Sequence, residues 1–414
     1  MRRVAIVGVG ITPRNRAFLS QADRRSYKEY IADAAYDAIA NVKKGLNPKD
    51  IQYVVANYHG EASVEAGGIG PVVSDLLGLH PVGVTQLCAN CTGAGVSAHE
   101  AYGLVASGLY DRVLVIGFDK RWDLLNFADK RAIGGDVDYD FHVGFDHMHL
   151  ATLLQAMDFK KYGLRTVVEA LVTFRLQMCW YANRNPNSAI YGIPYPVPSK
   201  EELMNIWELE PGSGRFNPEF WKKLPTNQAV EGASAFIMVP AQEAKAYTDK
   251  PIYVDGVSYK CNHHLLSSQM YYPVPALAKY DAADFGAPQL AVDEAYRMAK
   301  AKPEEVDFAE IFESHISSII PTLQATQVPK EGKAIQFIIE GGIAIDGRLP
   351  AGTDGGRGLF GATSGSNESD GIYEAVIQMR GEAGERQVPK ADVSVIVGMQ
   401  GEMASSAALV LRRE

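Results

Sequence analysis

The sequence has few cysteines and no surplus of positive charge. Its 414 residues include four cysteines, too few for a disulfide framework in a chain of this length. The 49 acidic residues outnumber the 40 lysines and arginines, giving a net charge of −9, which argues against nucleic acid or an anionic membrane as the main partner. No apolar run reaches the roughly 18–20 residues that span a bilayer, and Met1-Arg-Arg leads into a strand rather than a signal peptide. We therefore expect a cytoplasmic protein.

Two familiar binding motifs are incomplete. Gly8 and Gly10 follow an apolar run but lack the third glycine of a dinucleotide fingerprint, and Ile11-Thr-Pro13 stands where a helix should begin, so nucleotide binding is disfavoured. Cys88-Ala-Asn-Cys91 has CxxC spacing without a second CxxC or a nearby histidine pair. A redox site or half of a zinc site stays open as an alternative. The simpler interpretation is one working and one packed cysteine, with no metal in this chain.

What is present is an alternation of apolar strands and helices that occurs twice. The chain is longer than one hydrophobic core usually supports, and it alternates strand and helix up to Gly117. From about 118 to 230 the pattern loosens into an insertion, and after 250 the alternation starts again. We predict an α/β protein with two similar α-β-α layered halves. The halves are residues 1–250, including an inserted loop domain at about 118–230, and residues 251–414.

Residues 84–108 contain the main candidate for a catalytic residue. It begins with strand character, passes Cys91 and a group of small residues, and continues with helical spacing, so Cys91 should lie in the turn that opens a buried helix. A helix N-terminus lowers a thiol pKa and can hold a developing oxyanion. Cys91 is therefore a candidate nucleophile, with a buried, inert cysteine as the alternative.

A histidine follows the second strand of the first half. The strand at 51–57 runs into Tyr58-His59, at the carboxyl edge where open α/β sheets place their sites. His59 could therefore face a substrate, or it could be a loop histidine held by hydrogen bonds.

The arrangement resembles the thiolase superfamily, and the matching stretches run along nearly the whole chain. They are residues 4–10, 90–92, 105–111, 183–190 and 380–388, the last similar to a run in sterol-carrier-protein-type thiolases. A closer resemblance is to the thiolase-like subunit of the bacterial acyltransferase that makes diacetylphloroglucinol. It is carried by Tyr58-His-Gly-Glu61, Asn90-Cys-Thr92, Tyr139-Asp140, His147 and residues 340–356. The resemblance implies a thiolase fold with a nucleophilic cysteine at the start of a buried helix.

The departures from the family pattern lie in the second half. The loop that carries the activating histidine in thiolases reads Gly358-Leu-Phe-Gly-Ala-Thr-Ser-Gly365 here, and the loop of the second cysteine reads Gly398-Met-Gln-Gly-Glu-Met403. The strand that often ends in His-Asp-x-Phe ends in Ile311-Phe-Glu-Ser-His315. Of the familiar catalytic set, only Cys91 is present.

The resemblance implies a coenzyme A thioester as the substrate and an acyl-enzyme on Cys91. The base that replaces the missing histidine is then His147, His59 or His315. His147 is favoured first and His59 second, because both match the phloroglucinol acyltransferase subunit. His315 lies three residues beyond the usual oxyanion-holding position and could instead be a helix-start histidine facing solvent. Backbone N–H groups of Cys91 and of the loop around Gly401 would hold the oxyanion. Without the second cysteine, an electron-rich carbon acceptor or cleavage of a 3-oxoacyl-CoA fits better than acetoacetyl-CoA synthesis.

The resemblance also implies partners. Thiolases are at least dimeric, and relatives of this branch act with a small subunit that carries an OB fold and a zinc ribbon. Two other functions stay open. One is a thiolase-like retro-aldolase that uses tyrosines, a reading weakened by Phe312 near the expected tyrosine position. The other is a catalytically silent scaffold subunit of a multi-enzyme complex.

Overall fold

The computed structural model describes residues 1–14, 25–60, 64, 67–120, 136, 138, 139, 142, 147–191, 199–209, 230–265, 286–313, 316–400 and 404–414. The strands of these residues are β1 (Val4–Ile11), β2 (Tyr53–Asn57), β3 (Gly83–Leu87), β4 (Val113–Asp119), β5 (Gly232–Pro240), β6 (Ile252–Cys261), β7 (Phe308–Ile311), β8 (Val393–Met399) and β9 (Ser405–Arg412).

The helices of the same residues are α1 (Tyr27–Ala40), α2 (Ile69–Leu76), α3 (Gly93–Ser107), α4 (His147–Tyr162), α5 (Leu164–Ala182), α6 (Lys200–Leu209), α7 (Ala244–Tyr247), α8 (Gly286–Ala299), α9 (Ile319–Ala325), α10 (Ala334–Ile339) and α11 (Asn367–Arg380). Short 3-10 turns lie at Pro48–Asp50, Asn90–Thr92, Pro303–Glu305, Ile316–Ser318, Ser364–Ser366 and Gly384–Arg386, and a π-turn covers Gly356–Phe360.

The strands form one mixed sheet in the order β3-β2-β4-β5-β1-β6-β9-β8-β7. In the first half β2 is parallel to β3 and β4, whereas β4-β5 and β5-β1 are antiparallel. The second half repeats this arrangement, with β7 parallel to β8 and antiparallel pairs β8-β9 and β9-β6. The halves are joined where β1 pairs antiparallel with β6. The predicted α/β class with two similar halves is confirmed, while the exact domain limits stay a prediction.

Two helices, α3 and α11, lie against the same core as strands of both halves. That core includes Ile6 of β1 and Ile396 of β8, together with Ala98 of α3 and Ile372 of α11. Helices α1 and α2 share a second core with strands of the first half, and α5, α8, α9 and α10 share a third with strands of the second. Helices therefore pack on both faces of the sheet, which explains why strands such as β1, β4 and β8 are buried along their whole length.

The residues of α3 and its ends explain its position. Its buried residues are mostly alanine and glycine, and their small side chains let the sheet approach closely. The helix ends at Gly108, which has the left-handed φ of 88° that glycine adopts without steric cost.

Helix α11 is also buried, but it is polar. Every residue from Asn367 to Arg380 except Tyr373 is buried, although seven of them carry polar or charged side chains. Such a helix requires partners for its polar groups, and its first turn lies beside the Cys91 turn.

Part of the predicted insertion is described by the structure. Helices α4, α5 and α6 belong to it, and α5 packs through Phe174 and Met178 into the core of the second half. Among the described residues, no helix combines the length and the apolar character that a membrane crossing needs.

Candidate active site

Cys91 lies in the 3-10 turn Asn90–Thr92, which runs directly into α3. Asn90 has a φ of 49°, a left-handed conformation that asparagine adopts more readily than most residues. Cys91 therefore stands at the N-terminus of a buried helix, and it is partly exposed. The positive end of the helix dipole favours negative charge at this point, so the geometry is suited to a thiolate.

A serine hydroxyl contacts the sulfur. The Cys91 thiol donates to Ser364 Oγ over 3.7 Å, and Ser364 begins a 3-10 turn in the glycine-rich stretch that holds no histidine. The side-chain amide of Asn367 donates to the Cys91 carbonyl oxygen at 3.3 Å and to the Ser364 carbonyl oxygen at 3.4 Å. The Cys91 turn and the Ser364 loop are thus held side by side.

Two polar residues at strand ends fix the Ser364 loop. The Asn57 amide, at the end of β2, donates to the Gly365 carbonyl oxygen at 2.5 Å. Asp119, at the end of β4, accepts from the Gly365 N–H at 2.7 Å and from the His59 N–H at 3.1 Å. Because β2 and β4 are parallel neighbours, both side chains stand at the same edge of the sheet. The structure therefore brings the His59 backbone and the Ser364 loop together through one carboxylate.

Four residues of this site were not predicted from the sequence: Asn57, Asp119, Ser364 and Asn367. Asn57 and Asp119 could have been identified from the sequence, because each is a polar residue at the carboxyl end of a buried apolar strand. Ser364 and Asn367 had no comparable local signal, since their role comes from a contact with a turn more than 270 residues away.

Two glycines allow the loops to approach this closely. A Cβ atom on Gly93 would lie 2.0 Å from Asn57 Oδ1, and one on Gly117 would lie 2.2 Å from the Gly365 carbonyl oxygen. A side chain at position 93 would displace the Asn57 amide that holds the loop, and one at position 117 would push the loop backbone away from the sheet.

The three candidate bases differ in how they are placed. His59 is half-buried and is joined to the Ser364 loop through its N–H and Asp119. His147 is the first residue of α4, and its side chain lies outside the described residues. His315 and Gly401 also lie outside the described residues.

Cys88, the other member of the CxxC pair, is a less favourable thiolate. Cys88 is exposed, so the prediction of a packed second cysteine is wrong. Desolvation by its neighbours raises the pKa of the Cys88 thiol, opposed by a backbone hydrogen bond from Asn90. Metal binding and disulfide exchange both need the thiolate form, so the raised pKa disfavours both at this position. Across the described part of the chain, no three histidine, cysteine or acidic side chains are grouped as metal ligands.

Behind the Cys91 turn lies a group of buried carboxylates and arginines, which we name the buried charge cluster. Each of its members is at most 3% exposed. The carboxylates are Glu310, Glu313, Asp354, Glu368, Asp370 and Glu374, and the arginines are Arg14, Arg175, Arg357 and Arg386.

Two of these carboxyl groups have a strongly raised pKa. Burial raises the pKa of both Glu310 and Glu368 to about 8, and the neighbouring Glu374 adds to the effect on Glu310. The cluster has six carboxyl groups against four guanidinium groups. Arg14, Arg357 and Arg386 each pair with a carboxylate, and Arg175 is attracted by Glu313. The cluster thereby meets the requirement that buried charges be paired.

The buried charge cluster also fixes the glycine-rich π-turn that precedes the Ser364 loop. Glu313 accepts from the N–H groups of Arg357 at 2.8 Å and of Gly358 at 2.9 Å. The Arg357 guanidinium in turn pairs with Asp354 and Asp370. The loop around Ser364 is therefore held from the second half by charges as well as by packing.

A tyrosine hydroxyl lies on the other side of the Cys91 turn. Thr92 Oγ1 lies 3.4 Å from Ser405 Oγ, and Ser405 also hydrogen-bonds the Tyr259 hydroxyl. Burial raises the pKa of Tyr259 to about 12, so this phenol remains a proton donor at neutral pH.

Comparisons with known proteins agree with this architecture. Residues 276–413 match the family described as thiolase C-terminal domain-like. The acetyl-CoA acetyltransferase of Methanothermobacter thermautotrophicus is 24% identical over 414 residues, which is all of both chains. The 17-hydroxy-3-oxo-4-pregnene-20-carboxyl-CoA lyase of Mycobacterium tuberculosis is 23% identical, covering 92% of each chain. The solved structure of an Ltp2-ChsH2(DUF35) aldolase has a TM-score of 0.79 at 20% identity, covering 99% of this chain and 98% of the other.

The family match over residues 276–413, the full-length similarity to an acetyl-CoA acetyltransferase and the shared fold support the thiolase superfamily for this chain. The resemblance seen in the sequence is thereby confirmed at the level of the superfamily and its fold. Beside the candidate nucleophile lies the hydroxyl of Ser364, within the loop that lacks the activating histidine.

Proposed function

We propose that this protein is a thiolase-type acyltransferase that makes or breaks a carbon–carbon bond through an acyl-enzyme on Cys91. The observation that carries the proposal is the position of the Cys91 sulfur, which is partly exposed at the start of α3 and held against Ser364. The acetyl-CoA acetyltransferase similarity over the whole chain supports the same reaction class.

The reaction would proceed in two acyl transfers. The Cys91 thiolate attacks the carbonyl carbon of an acyl-CoA, the C–S bond to coenzyme A breaks, and the departing thiolate takes a proton. A second nucleophile then attacks the acyl carbon and releases the Cys91 sulfur. In synthesis the second nucleophile is an electron-rich carbon, which forms the new carbon–carbon bond and loses a proton. In cleavage the Cys91 thiolate instead attacks the 3-oxo carbon of a 3-oxoacyl-CoA, the C2–C3 bond breaks, and the departing carbanion takes a proton. Coenzyme A then takes the acyl group from Cys91.

A base must first remove the Cys91 proton, since Ser364 can accept a hydrogen bond but is not basic at neutral pH. His59 is the candidate supported by its link through Asp119 to the Ser364 loop. His147 and His315 are the other candidates from the sequence. The oxyanion would be held by backbone N–H groups of Cys91 and of the loop around Gly401.

We also propose that the protein is a homodimer and acts with a small OB-fold and zinc-ribbon subunit. The solved Ltp2-ChsH2(DUF35) aldolase is an assembly whose thiolase-like chain this protein resembles, and it supports a partner of this kind.

A retro-aldolase is the second candidate function. The aldolase structure with a TM-score of 0.79 and the lyase relative favour it, and the Tyr259 phenol two hydrogen bonds from Thr92 offers a proton donor that does not depend on Cys91. A catalytically silent scaffold is the third candidate.

One experiment separates the three functions. The purified protein, with and without its partner, is incubated with acetyl-CoA or an aromatic acyl-CoA, and intact-mass and peptide spectra are recorded. We expect an acyl group on Cys91 that is absent in Cys91→Ala and present in the matched control Cys88→Ala. Aldol cleavage that persists in Cys91→Ala would favour the retro-aldolase, and the absence of both adduct and cleavage would favour the scaffold.

A further inference from the structure

Two successive side chains of α11 hold the turn that carries Cys91. The Asn367 amide donates to the Cys91 carbonyl oxygen at 3.3 Å. The next residue, Glu368, accepts from the Gly95 N–H at 3.1 Å through Oε2. Gly95 belongs to the first turn of α3, so Glu368 accepts a hydrogen bond from one of the N–H groups that a helix N-terminus leaves without an internal partner. A 2%-exposed carboxyl group is thereby built into the nucleophile's helix end.

The space for this carboxyl group is made by a glycine on a neighbouring strand. A Cβ atom on Gly398 of β8 would lie 1.9 Å from Glu368 Oε1, which no side chain could tolerate. Gly398 begins the loop in which the family pattern expects a second cysteine. The loop thus lacks that cysteine, and its first residue leaves space for the Glu368 carboxyl group.

The surroundings of Glu368 leave one of its oxygens without a protein partner. Oε1 has no hydrogen-bond partner among the described residues. Glu368 also lines a cavity of about 10 Å³, room for about one water molecule. Arg357 and Glu310 line the same cavity from the π-turn and from β7.

The charged and titratable groups around Glu368 come from several elements. Arg357 attracts a negative charge on Glu368, and Asp370 of the same helix repels it. Glu310 faces it across the cavity, and the Cys91 thiol lies on the turn that α11 holds. The packed positions on α3, β8 and β9 are the neutral Gly95, Gly398 and Ala407.

We propose that Glu368 is a positioning residue for Cys91. As a neutral acid it holds the first turn of α3, and when it ionises it disfavours the thiolate form of Cys91. The inference rests on the proposed function, in which that thiolate is the nucleophile. While Glu368 is neutral, the positive end of the α3 dipole stabilises negative charge on the Cys91 sulfur. An ionised carboxylate beside the same turn disfavours a second negative charge. Since burial raises the pKa of Glu368 to about 8, the change occurs just above neutral pH.

The test measures the reactivity of the sulfur without any acyl substrate. The wild type and Glu368→Gln are alkylated with iodoacetamide between pH 6 and 9.5, and the rate at Cys91 is followed by peptide mass spectrometry. Glutamine stays neutral and keeps an acceptor for the Gly95 N–H. We expect equal rates at pH 6.5 and faster alkylation of Glu368→Gln at pH 9, with a fitted thiol pKa about one unit lower than in the wild type. The difference in rate approaches about tenfold where both thiols are still mostly protonated and is smaller where both are ionised.

A ratio of rates that is the same at both pH values would overturn the proposal and leave Glu368 a structural residue. If Glu368→Gln does not fold, the wild-type profile decides: we expect a rise broader than one ionisation, and a curve fitted by a single thiol pKa overturns the inference. Failure of the proposed function looks different. It leaves no acyl adduct on Cys91, while the pH-dependent difference in alkylation remains.

Discussion

The two helices that share the central core, α3 and α11, are built on opposite principles. Helix α3 carries the candidate nucleophile and buries small apolar residues such as Ala94, Ala98 and Ala101. Helix α11 is buried even more completely but is lined with acids, amides and an arginine. The first helix depends on close packing and the second on charge pairing. The comparison teaches that the nucleophile's geometry is set by its polar neighbour as much as by its own helix.

The pairing on α11 is specific at each charged position. Asp370 receives the guanidinium groups of Arg14 and Arg357, and Glu374 receives that of Arg386. Buried pairs of this kind contribute little net stability relative to apolar packing, but removing one partner is costly because the other charge stays buried. Charge variants of α11 should therefore be more damaging than packing variants of α3.

The largest effect is expected for Arg386→Ala. Arg386 is 3% exposed, pairs with Glu374 and donates to the Thr353 carbonyl oxygen at 2.7 Å, so its loss leaves a buried carboxylate. We expect the free energy of unfolding to fall by about 3–5 kcal/mol, measured by urea denaturation. The matched control is Arg413→Ala, which breaks a half-exposed pair with Asp392 and should cost about 0–1 kcal/mol. Equal losses in the two variants would contradict the contrast between buried and exposed pairs.

The next effect is a pH dependence of stability carried by Glu310. Its pKa is raised to about 8 by burial and by Glu374, above the value of about 4.3 for an unfolded chain. A raised carboxyl pKa gives stability that is complete below the unfolded value and is lost as pH rises through the folded one.

Glu310→Gln keeps an acceptor for the Thr353 hydroxyl and N–H, which both donate to Glu310 Oε1, but it has no proton to lose. Between pH 5 and 8 we therefore expect the wild type to lose stability relative to Glu310→Gln by up to about 1.4 kcal/mol per pH unit, reaching roughly 3–4 kcal/mol. Thermal and urea unfolding at several pH values measure this difference. A difference that does not change with pH would show that Glu310 is ionised throughout.

The sequence was sufficient to predict the α/β halves and the placement of Cys91, because both follow from local patterns. Apolar runs such as Val113–Asp119 form buried strands, and small residues after Cys91 begin a buried helix. The resemblance to thiolases extended this to the superfamily, which the comparisons confirm.

The polar half of the site could not be predicted in the same way. Helix α11 has an apolar stripe at Ile372, Ala375, Val376 and Met379, which predicts one buried face but not the burial of its polar residues. The partners of Glu368 and Asp370 lie on the Cys91 helix and near the chain's beginning. These contacts are long-range, so a single sequence carries no local signal for them. Whether His59, His147 or His315 is the base stays a prediction for the same reason.

The smallest effect distinguishes two glycines of α3 that look equivalent in the sequence. A Cβ atom on Gly95 would lie 2.4 Å from the Ala407 Cβ and 3.4 Å from Glu368 Cγ, whereas one on Gly103 meets nothing within 4 Å. We expect Gly95→Ala to destabilise the protein by about 1–2 kcal/mol through overpacking. Gly103→Ala should stabilise it by about 0.5–1 kcal/mol, since alanine favours a helix interior over glycine. Urea denaturation of both variants measures the difference, and a stabilising Gly95→Ala would show that α3 and β9 can separate without cost.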